Sequence, residues 1–292
     1  MLKNKSFKSF IIAPSKYVSK KILKNAQNRL NEIGISCAYE EDILSKEIYF
    51  AGSVKRRIQE IKKAFSDKES SIVFCLRGGY ASMELLDNLP LRKLSISKKT
   101  FVGHSDITAL LWGFYLNKYK GLLVHGQMPG SKNWNDSIKF KKLYLDCLNG
   151  RNYKIKLPKS VVILNNKNFN GRIVGGNLRI ITHMLGTHYE PNFDNKVVFL
   201  EDVREKPAAI YTMLLQLQLC GKFKKIKGLL LGDFPFCGNY QPLLMLFIQR
   251  FRIPVLAYLP LGHSKLMFPI RFDDEVSYNS KSKTLLFSRK NK

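Results

Sequence analysis

The stretch "FVGHSDITALL", residues 101–111, is the most informative about the fold, because it joins a short apolar strand to a helix through one tight turn. The apolar residues that lead to Gly103 predict a buried strand, and those that follow Asp106 recur at helical spacing. Ser105 lies at the turn itself. It is either a nucleophile exposed at a strand-to-helix turn or a residue that caps the helix, and the residues alone leave both interpretations open.

The same alternation of strand and helix patterns continues on both sides of this turn. "SFIIAPS" (9–15), "SIVFCL" (71–76) and "GLLVHG" (121–126) predict buried strands. Apolar residues recur at helical spacing over 18–33 and 54–65, and Ser53 would cap the second of these helices. Short apolar strands separated by amphipathic helices predict an α/β fold with a mostly parallel sheet flanked by helices.

Beyond about residue 150 the pattern changes, since strand and turn signals become more frequent. We therefore predict an N-terminal α/β domain over 1–152, a linker over 153–168 and a smaller, β-rich α+β domain over 169–292. Within the last of these, residues 275–288 resemble a terminal hairpin.

Composition excludes several classes of protein. Hydrophobic residues make up 45% of the 292-residue chain, which indicates a globular protein with ample core material. No apolar run approaches the roughly 18 residues of a membrane span, so we expect a soluble, cytosolic protein. The five cysteines form no CxxC pair, which favours reduced thiols over disulfides or a zinc site.

The net charge is strongly positive: 49 basic minus 22 acidic residues gives +27. Such a charge attracts phosphates and nucleic acids. The excess is mostly lysine spread along the whole chain, with no basic block interleaved with aromatic residues, and this favours solvated surface charge over a specific nucleic-acid site. A basic nucleic-acid-binding protein on a degenerate hydrolase fold stays as the alternative from another functional class.

A nucleophilic serine needs a base, usually histidine, and an acid that orients the base. Of the five histidines, His125 and His263 lead by position, because both follow apolar segments and lie beside turn-forming glycines. Glu201 and Asp202 end the apolar run "KVVFLED", and Asp233 ends "LLLGD" in the same way. The residues alone choose neither between the two histidines nor among the three acids.

Two diglycine turns, at 78–79 and 175–176, could each bring backbone N–H groups near an anionic group. Neither matches a phosphate-binding loop, since no Gly-x-x-x-x-Gly-Lys or Gly-x-Gly-x-x-Gly pattern is present.

Nine short segments occur in an order that resembles one known family, the LD-carboxypeptidases, which are serine peptidases and include the microcin C immunity proteases. The segments are "IIAPS", "RGGY", "GHSDITALL", "HGQM", "GGNL", "GTHYEP", "VVFLEDVRE", "LLLGDF" and "LPLGH". Each segment is short, but nine in the expected order are far more specific than any one of them.

The resemblance implies a role for each candidate. Ser105 would be the nucleophile, Glu201 the acid and His263 the base, and the backbone N–H groups of Gly79 and Asp106 would stabilise the oxyanion. It also implies a homodimer whose active site lies between the two domains and uses no metal or cofactor. The substrate would be a murein tetrapeptide, which loses its terminal D-alanine by cleavage of an L,D-amide bond in cytoplasmic peptidoglycan recycling.

Arginines are the natural partners of the substrate's terminal carboxylate, because the guanidinium binds carboxylates through two parallel hydrogen bonds. Arg77, Arg172 and Arg179 are the candidates, and we expect Gln127 and Asn177 to line the same pocket.

The chain departs from the family pattern at four positions around the nucleophile turn and the pocket. They are Ala81 and Arg271 in place of glycine, His104 in place of an aromatic residue, and Gln127 in place of proline. None removes a member of the triad, so hydrolysis is still expected. The alternative within the family is cleavage of peptidyl- or aminoacyl-adenylate antibiotics, for which Trp134 would have to stack on the adenine.

Overall fold

The structure is a computed structural model that describes residues 7–132, 134–135, 137–264 and 266–289. The chain divides into two compact units, Met1–Trp134 and Asn135–Lys292.

The first unit alternates strands and helices along the chain. Its elements are β1 (Phe7–Ile12), α1 (Lys20–Glu32), β2 (Ile35–Ala38), α2 (Val54–Ser66), β3 (Ile72–Cys75), α3 (Leu91–Leu94), β4 (Thr100–Gly103), α4 (Thr108–Leu116) and β5 (Leu122–His125). Among the described residues of this unit, three 3-10 helices lie in the connections: Glu41–Leu44, Ser82–Asn88 and Ser105–Ile107.

The strands of this unit pair in parallel in the order β5-β4-β3-β1-β2. The chain adds β2 on one side of β1 and β3 on the other, so the direction of winding reverses there. In an open parallel sheet the loops at the carboxyl ends of the strands part at such a reversal and leave a crevice for ligands. From the fold alone we therefore expect the ligand site at the loops that follow β1, β3 and β4.

Serine caps start the two long helices of this unit. The Ser19 hydroxyl accepts from the backbone of α1, and the Ser53 hydroxyl accepts from the N–H of Arg56 at 3.2 Å, which confirms the predicted start of α2. By contrast, α4 is buried on all sides from Thr108 to Phe114. A helix surrounded by the core needs no polar face, which explains the unbroken apolar run that follows Asp106.

The second unit contains nine strands and four helices among the described residues. They are α5 (Ile138–Leu148), β6 (Tyr153–Lys156), β7 (Val162–Leu164), β8 (Phe169–Asn177), α6 (Leu178–His183), β9 (Lys196–Glu201), α7 (Pro207–Leu219), β10 (Gly228–Gly232), α8 (Gln241–Ile248), β11 (Val255–Leu259), β12 (Ile270–Arg271), β13 (Glu275–Asn279) and β14 (Thr284–Ser288).

Eight of these strands form one mixed sheet in the order β6-β14-β13-β8-β9-β10-β11-β7. The four central strands, β8 to β11, run parallel, and the outer strands pair antiparallel. The hairpin expected over 275–288 is present as β13 and β14. The predicted α/β class, with a parallel N-terminal sheet and a β-rich α+β second part, is confirmed.

The predicted domain limits differ from the structure. Residues 153–168 are not a linker, because they contain β6 and β7, which pair with β14 and β11. The division of the chain falls between Trp134 and Asn135 instead of after residue 152, and the second unit is consequently the longer one. Both strands pair with segments about a hundred residues away. The local sequence therefore predicts a strand but does not identify its partner strand.

The glycine pair at 175–176 serves the sheet and is not an anion-binding turn. Both residues lie inside β8, where they pair with β9. A Cβ atom on Gly175 would lie 1.8 Å from the backbone oxygen of Phe199, at a φ of +158°. Only glycine fits so close to the neighbouring strand.

All five cysteines are free thiols, and Cys220 is the exposed one. Within the described ranges, every helix is too short or too polar to cross a lipid bilayer.

Candidate active site

Ser105 has the backbone of a strained turn and not that of a helix cap. Its φ is +61°, in the left-handed region that non-glycine residues rarely adopt, whereas a capping residue is normally extended. The extended position before the 3-10 helix belongs to His104, at φ −151°, and α4 follows Ile107. Strain of this kind between a strand and a helix is what exposes a nucleophile.

Two glycines make room for this turn. A Cβ atom on Gly78 would lie 2.9 Å from Cβ and 3.1 Å from Oγ of Ser105. A Cβ atom on Gly103 would lie 2.4 Å from a methyl carbon of Ile107. The Ile107 side chain thus packs over Gly103, and the turn forms without the second glycine of the usual Gly-x-Ser-x-Gly pattern.

Backbone N–H groups beside Ser105 are available for an oxyanion. Within the described part of the chain, the N–H groups of Asp106 and Gly79 donate to no acceptor. Gly79 has a φ of +157°, and a Cβ atom there would lie 2.4 Å from Cβ of Lys16. The Gly79 backbone is thus held tightly against Lys16, and both predicted donors have N–H groups without an acceptor among the described residues.

His263 and Glu201 form a hydrogen-bonded pair in the second unit. Nδ1 of His263 lies 2.9 Å from Oε2 of Glu201, whose side chain is 1% exposed. Glu201 is the last residue of β9, and His263 follows Gly262 in the loop after β11. With its Nδ1 proton donated to the carboxylate, the imidazole keeps Nε2 as a proton acceptor.

Gly262 is required for this contact. Its φ is +63°, and a Cβ atom at this position would lie 1.8 Å from Oε2 of Glu201. The glycine in "LPLGH" thus lets the loop pass directly over the buried carboxylate.

The carboxylate sets the proton affinity of the imidazole. Burial by itself would lower the pKa of His263, but the charge of Glu201 and its hydrogen bond raise that pKa above the ordinary value of 6.5. Burial, together with the same charge, also raises the pKa of Asp202 to about 7. The Asp202 carboxylate accepts hydrogen bonds from the N–H groups of Arg179 and Val203, at 2.9 and 2.8 Å.

Asn177, which the sequence predicts to line the substrate pocket, is hydrogen-bonded to these two acids. Its amide nitrogen donates to Asp202 Oδ1 at 3.0 Å and lies 3.5 Å from Glu201 Oε1. Its oxygen accepts from the N–H of Ile180 and so caps α6. The side chain is buried, and its hydrogen bonds hold both carboxylates and the start of α6.

The three candidate arginines differ in what they already bind. Arg172 forms an ion pair with Asp273 at 2.6 Å, and Arg179 forms one with Glu205. Arg77 is half-buried and has no ion pair with any described residue, and burial lowers its pKa. It immediately precedes Gly78, which touches the nucleophile, and it is therefore the arginine that best fits a substrate carboxylate.

Three further candidates are buried. His125 is fully inaccessible, and its ring packs against that of His104 with centroids 5.9 Å apart, so His263 is the better base. Gln127 is 2% exposed. Trp134 is 8% exposed and lies under the guanidinium of Arg29, so it does not present a ring for stacking on adenine.

Sequence reasoning missed the groups that hold the His263 loop. The Ser264 hydroxyl donates to Oδ1 of Asp233 at 2.5 Å, and the phenol of Tyr240 donates to the backbone oxygen of Asp233. The only available signal was the carboxylate at the end of the apolar run "LLLGD". No group of three or more metal-ligating side chains suited to an ion occurs among the described residues.

Ser105, Gly79 and Asp106 belong to the first unit, and Glu201 and His263 belong to the second. The structure brings Ser105 together with its two candidate N–H donors, and His263 together with its acid.

Comparison with known proteins identifies the family. Residues 10–126 match the LD-carboxypeptidase N-terminal domain, and residues 170–277 match the LD-carboxypeptidase C-terminal domain. A putative carboxypeptidase of Synechocystis is 30% identical over 226 residues, which are 74% of this chain and 72% of that protein. The chain belongs to the LD-carboxypeptidase family. It is thus a member of a family of peptidases.

Solved structures agree with the family assignment. A muramoyltetrapeptide carboxypeptidase from Oxalobacter formigenes is 28% identical and superposes with a TM-score of 0.84, over 98% of this chain and 100% of that one. A MccF-like protein from Bacillus anthracis is 24% identical and superposes with a TM-score of 0.86, over 99% of this chain and 98% of that one. At this identity the second likeness shows a shared fold only.

The pairing of His263 with Glu201 predicts a measurable titration. In NMR spectra, with the His263 signal assigned by its loss in His263→Gln, the pKa of His263 should lie above 6.5 in the wild type. In Glu201→Gln the pKa of His263 should fall below its wild-type value, because burial is then opposed by the charge of Asp202 and no longer by the charge and hydrogen bond of Glu201. Glu190→Gln, which removes a surface carboxylate of the same unit, is the control and should leave the titration unchanged. An unaltered pKa in Glu201→Gln would contradict this description of the site.

Proposed function

We propose that the protein is a serine LD-carboxypeptidase that releases the terminal D-alanine from murein tetrapeptides. The observation that carries the proposal is the bond of His263 Nδ1 to the buried Glu201, because it leaves Nε2 as a base of suitable proton affinity. The strained turn at Ser105 supplies a matching nucleophile.

The proposed reaction has two steps. His263 takes the proton of the Ser105 hydroxyl through Nε2 while the oxygen attacks the carbonyl carbon of the L,D-amide. The N–H groups of Gly79 and Asp106 donate to the tetrahedral oxyanion, and the imidazolium returns its proton to the departing amine of D-alanine. Water, deprotonated by the same imidazole, then attacks the acyl-serine ester. The imidazolium returns this proton to Ser105 Oγ as the ester bond breaks, and the shortened peptide is released.

Glu201 orients the imidazole and stabilises its protonated form. Its own carboxylate is held by the Asn177 amide and covered by Gly262, so the charge is buried close to the imidazole and screened little by solvent. Asp202, as the second acid, fixes Asn177 and does not contact the imidazole in any hydrogen bond of the described residues.

Arg77 is proposed to bind the terminal carboxylate that distinguishes a carboxypeptidase substrate. A half-buried guanidinium without a carboxylate partner among the described residues gains from an incoming anion, since burial disfavours its charge.

The wider role follows from the resemblance: a homodimer that acts on cytoplasmic muropeptides during peptidoglycan recycling. The adenylate alternative loses its stacking candidate, since Trp134 is buried. A nucleic-acid-binding function would not explain the strained backbone of Ser105 or the buried His263–Glu201 pair.

Incubation with a murein tetrapeptide tests the proposal directly. Mass spectrometry should show loss of one alanine with the wild type, and kcat should fall by about 10⁴-fold or more in Ser105→Ala, Glu201→Ala and His263→Ala. His183→Ala, which removes an exposed histidine of the same unit, should retain wild-type turnover. Full activity of Ser105→Ala would refute the serine mechanism, and an intact tetrapeptide beside a hydrolysed aminoacyl-adenylate analogue would establish the other substrate class.

Arg77 can be tested with a matched pair of substrates. Arg77→Ala should raise KM for the tetrapeptide by about 10-fold or more, since a charged hydrogen-bonded pair contributes that much to binding. For a tetrapeptide amidated at its C-terminus, the variant and the wild type should have the same KM. Arg92→Ala, on the exposed face of α3, controls for the loss of one positive charge. An equal rise in KM for both substrates would exclude a contact with the carboxylate.

A further inference from the structure

The carboxylate of Asp106 joins three loops of the first unit. The hydroxyl of Ser15, in the loop after β1, donates to Oδ2 of Asp106 at 2.6 Å. The N–H of Ser82, in the segment after β3, donates to the same oxygen at 3.0 Å. The Ser82 hydroxyl also donates to the backbone oxygen of Asp106 at 2.6 Å, so the loop after β4 is bonded twice to Ser82.

This cluster is fully enclosed. Asp106 is 3% exposed, and Ser15 and Ser82 are both completely inaccessible. Burial raises the pKa of the Asp106 carboxyl, while the hydrogen bonds from Ser15 and Ser82 and the charge of Arg57 oppose that rise. A buried acid of this kind is costly unless its acceptors are satisfied, and here the donors come from two other loops.

The loop that carries Ser15 is itself fixed at its base. The N–H of Ala13 donates to Oε2 of Glu60 at 2.9 Å, and a guanidinium nitrogen of Arg57 donates to the backbone oxygen of Pro14 at 3.4 Å. The Ser15 hydroxyl also lies 3.3 Å from the backbone oxygen of Tyr80. Ser15 thus touches both the residue after the nucleophile and the turn that contains Gly79.

Two N–H groups beside Ser105 that meet no acceptor in the described part of the chain belong to the segments that this cluster connects. One is the N–H of Asp106 itself, and the other is that of Gly79, three residues before Ser82. An oxyanion is stabilised only when its donors are held at a fixed separation before the reaction begins. The Asp106 carboxylate bonds to the segments on both sides, through Ser15 and Ser82, and can therefore fix the distance between the two N–H groups.

We propose that the Asp106 side chain, through Ser15 and Ser82, is a positioning group that fixes the distance between the two oxyanion donors. The inference rests on the proposed function, since it assigns a second role to a residue whose backbone serves the same site. Asp106 therefore acts twice: its N–H contacts the oxyanion, and its carboxylate holds the other donor in place.

Ser15→Ala is the mildest test, because it removes one buried hydroxyl and leaves every backbone donor in place. We expect kcat on the tetrapeptide to fall by about 10- to 100-fold, a part of the loss seen when an oxyanion donor is removed, with KM little changed. Asp106→Ala should lose more than Ser15→Ala. Asp106→Asn keeps an acceptor oxygen for Ser15 and Ser82 and should recover most of the activity.

A second readout separates positioning from simple stability. A fluorophosphonate probe forms a bond from phosphorus to Ser105 Oγ with departure of fluoride, and its phosphoryl oxygen occupies the oxyanion position. The labelling rate should fall in parallel with kcat. Asp67→Ala is the matched control, because Asp67 also accepts a backbone N–H across a loop, from Ser70 at 2.8 Å, but lies before β3 at the opposite edge of the sheet. Asp67→Ala should react with the probe and hydrolyse the tetrapeptide at the wild-type rates, even if its melting temperature is lower.

The outcomes are distinct. A wild type that is neither labelled at Ser105 nor active on the tetrapeptide overturns the proposed function and this inference with it. A wild type that is labelled, with Ser15→Ala and Asp106→Ala labelled equally fast, overturns this inference alone, as does a loss confined to KM. Should Asp106→Ala fail to fold, Ser15→Ala and Asp106→Asn decide the question.

Discussion

The bond between His263 and the buried carboxylate of Glu201 is the interaction on which the account of the site depends. Glu201 ends β9 at the carboxyl edge of the second sheet, with a side chain 1% exposed, and the bond to its Oε2 is 2.9 Å. A buried charge persists only with close partners, and here the imidazole and the Asn177 amide provide them. The loop can come this close because residue 262 is glycine.

The first unit has unusual backbone at the proposed nucleophile, because Ser105 has a φ of +61°. Each such residue costs about 1–3 kcal/mol, and the surrounding packing must supply it. In the first unit that support includes Gly78 against Ser105 and the three loops joined at Asp106. A turn that stores such a conformational cost is expected where a loop is shaped for ligand binding and not for stability alone.

Much of the fold could be predicted, because periodicity reports which faces are buried. The parallel sheet, the cap of α2 and the terminal hairpin all have local signals. The pairing partner of a strand has no local signal, and for this reason the sequence predicts a linker over 153–168 where the structure has two strands. The resemblance assigned roles to Ser105, Glu201 and His263, but the orientation of Asn177 and the burial of Trp134 depend on contacts between residues far apart in the sequence.

The most direct test of the central claim is capture of the covalent intermediate. The wild type is mixed with a murein tetrapeptide, quenched with acid within one turnover, digested and analysed by mass spectrometry. The fragment containing Ser105 should gain the mass of the tripeptide acyl group, and the same fragment of His263→Ala should show no gain. Release of alanine with Ser105 unmodified at every time point, or acylation of a different residue, would contradict the central claim.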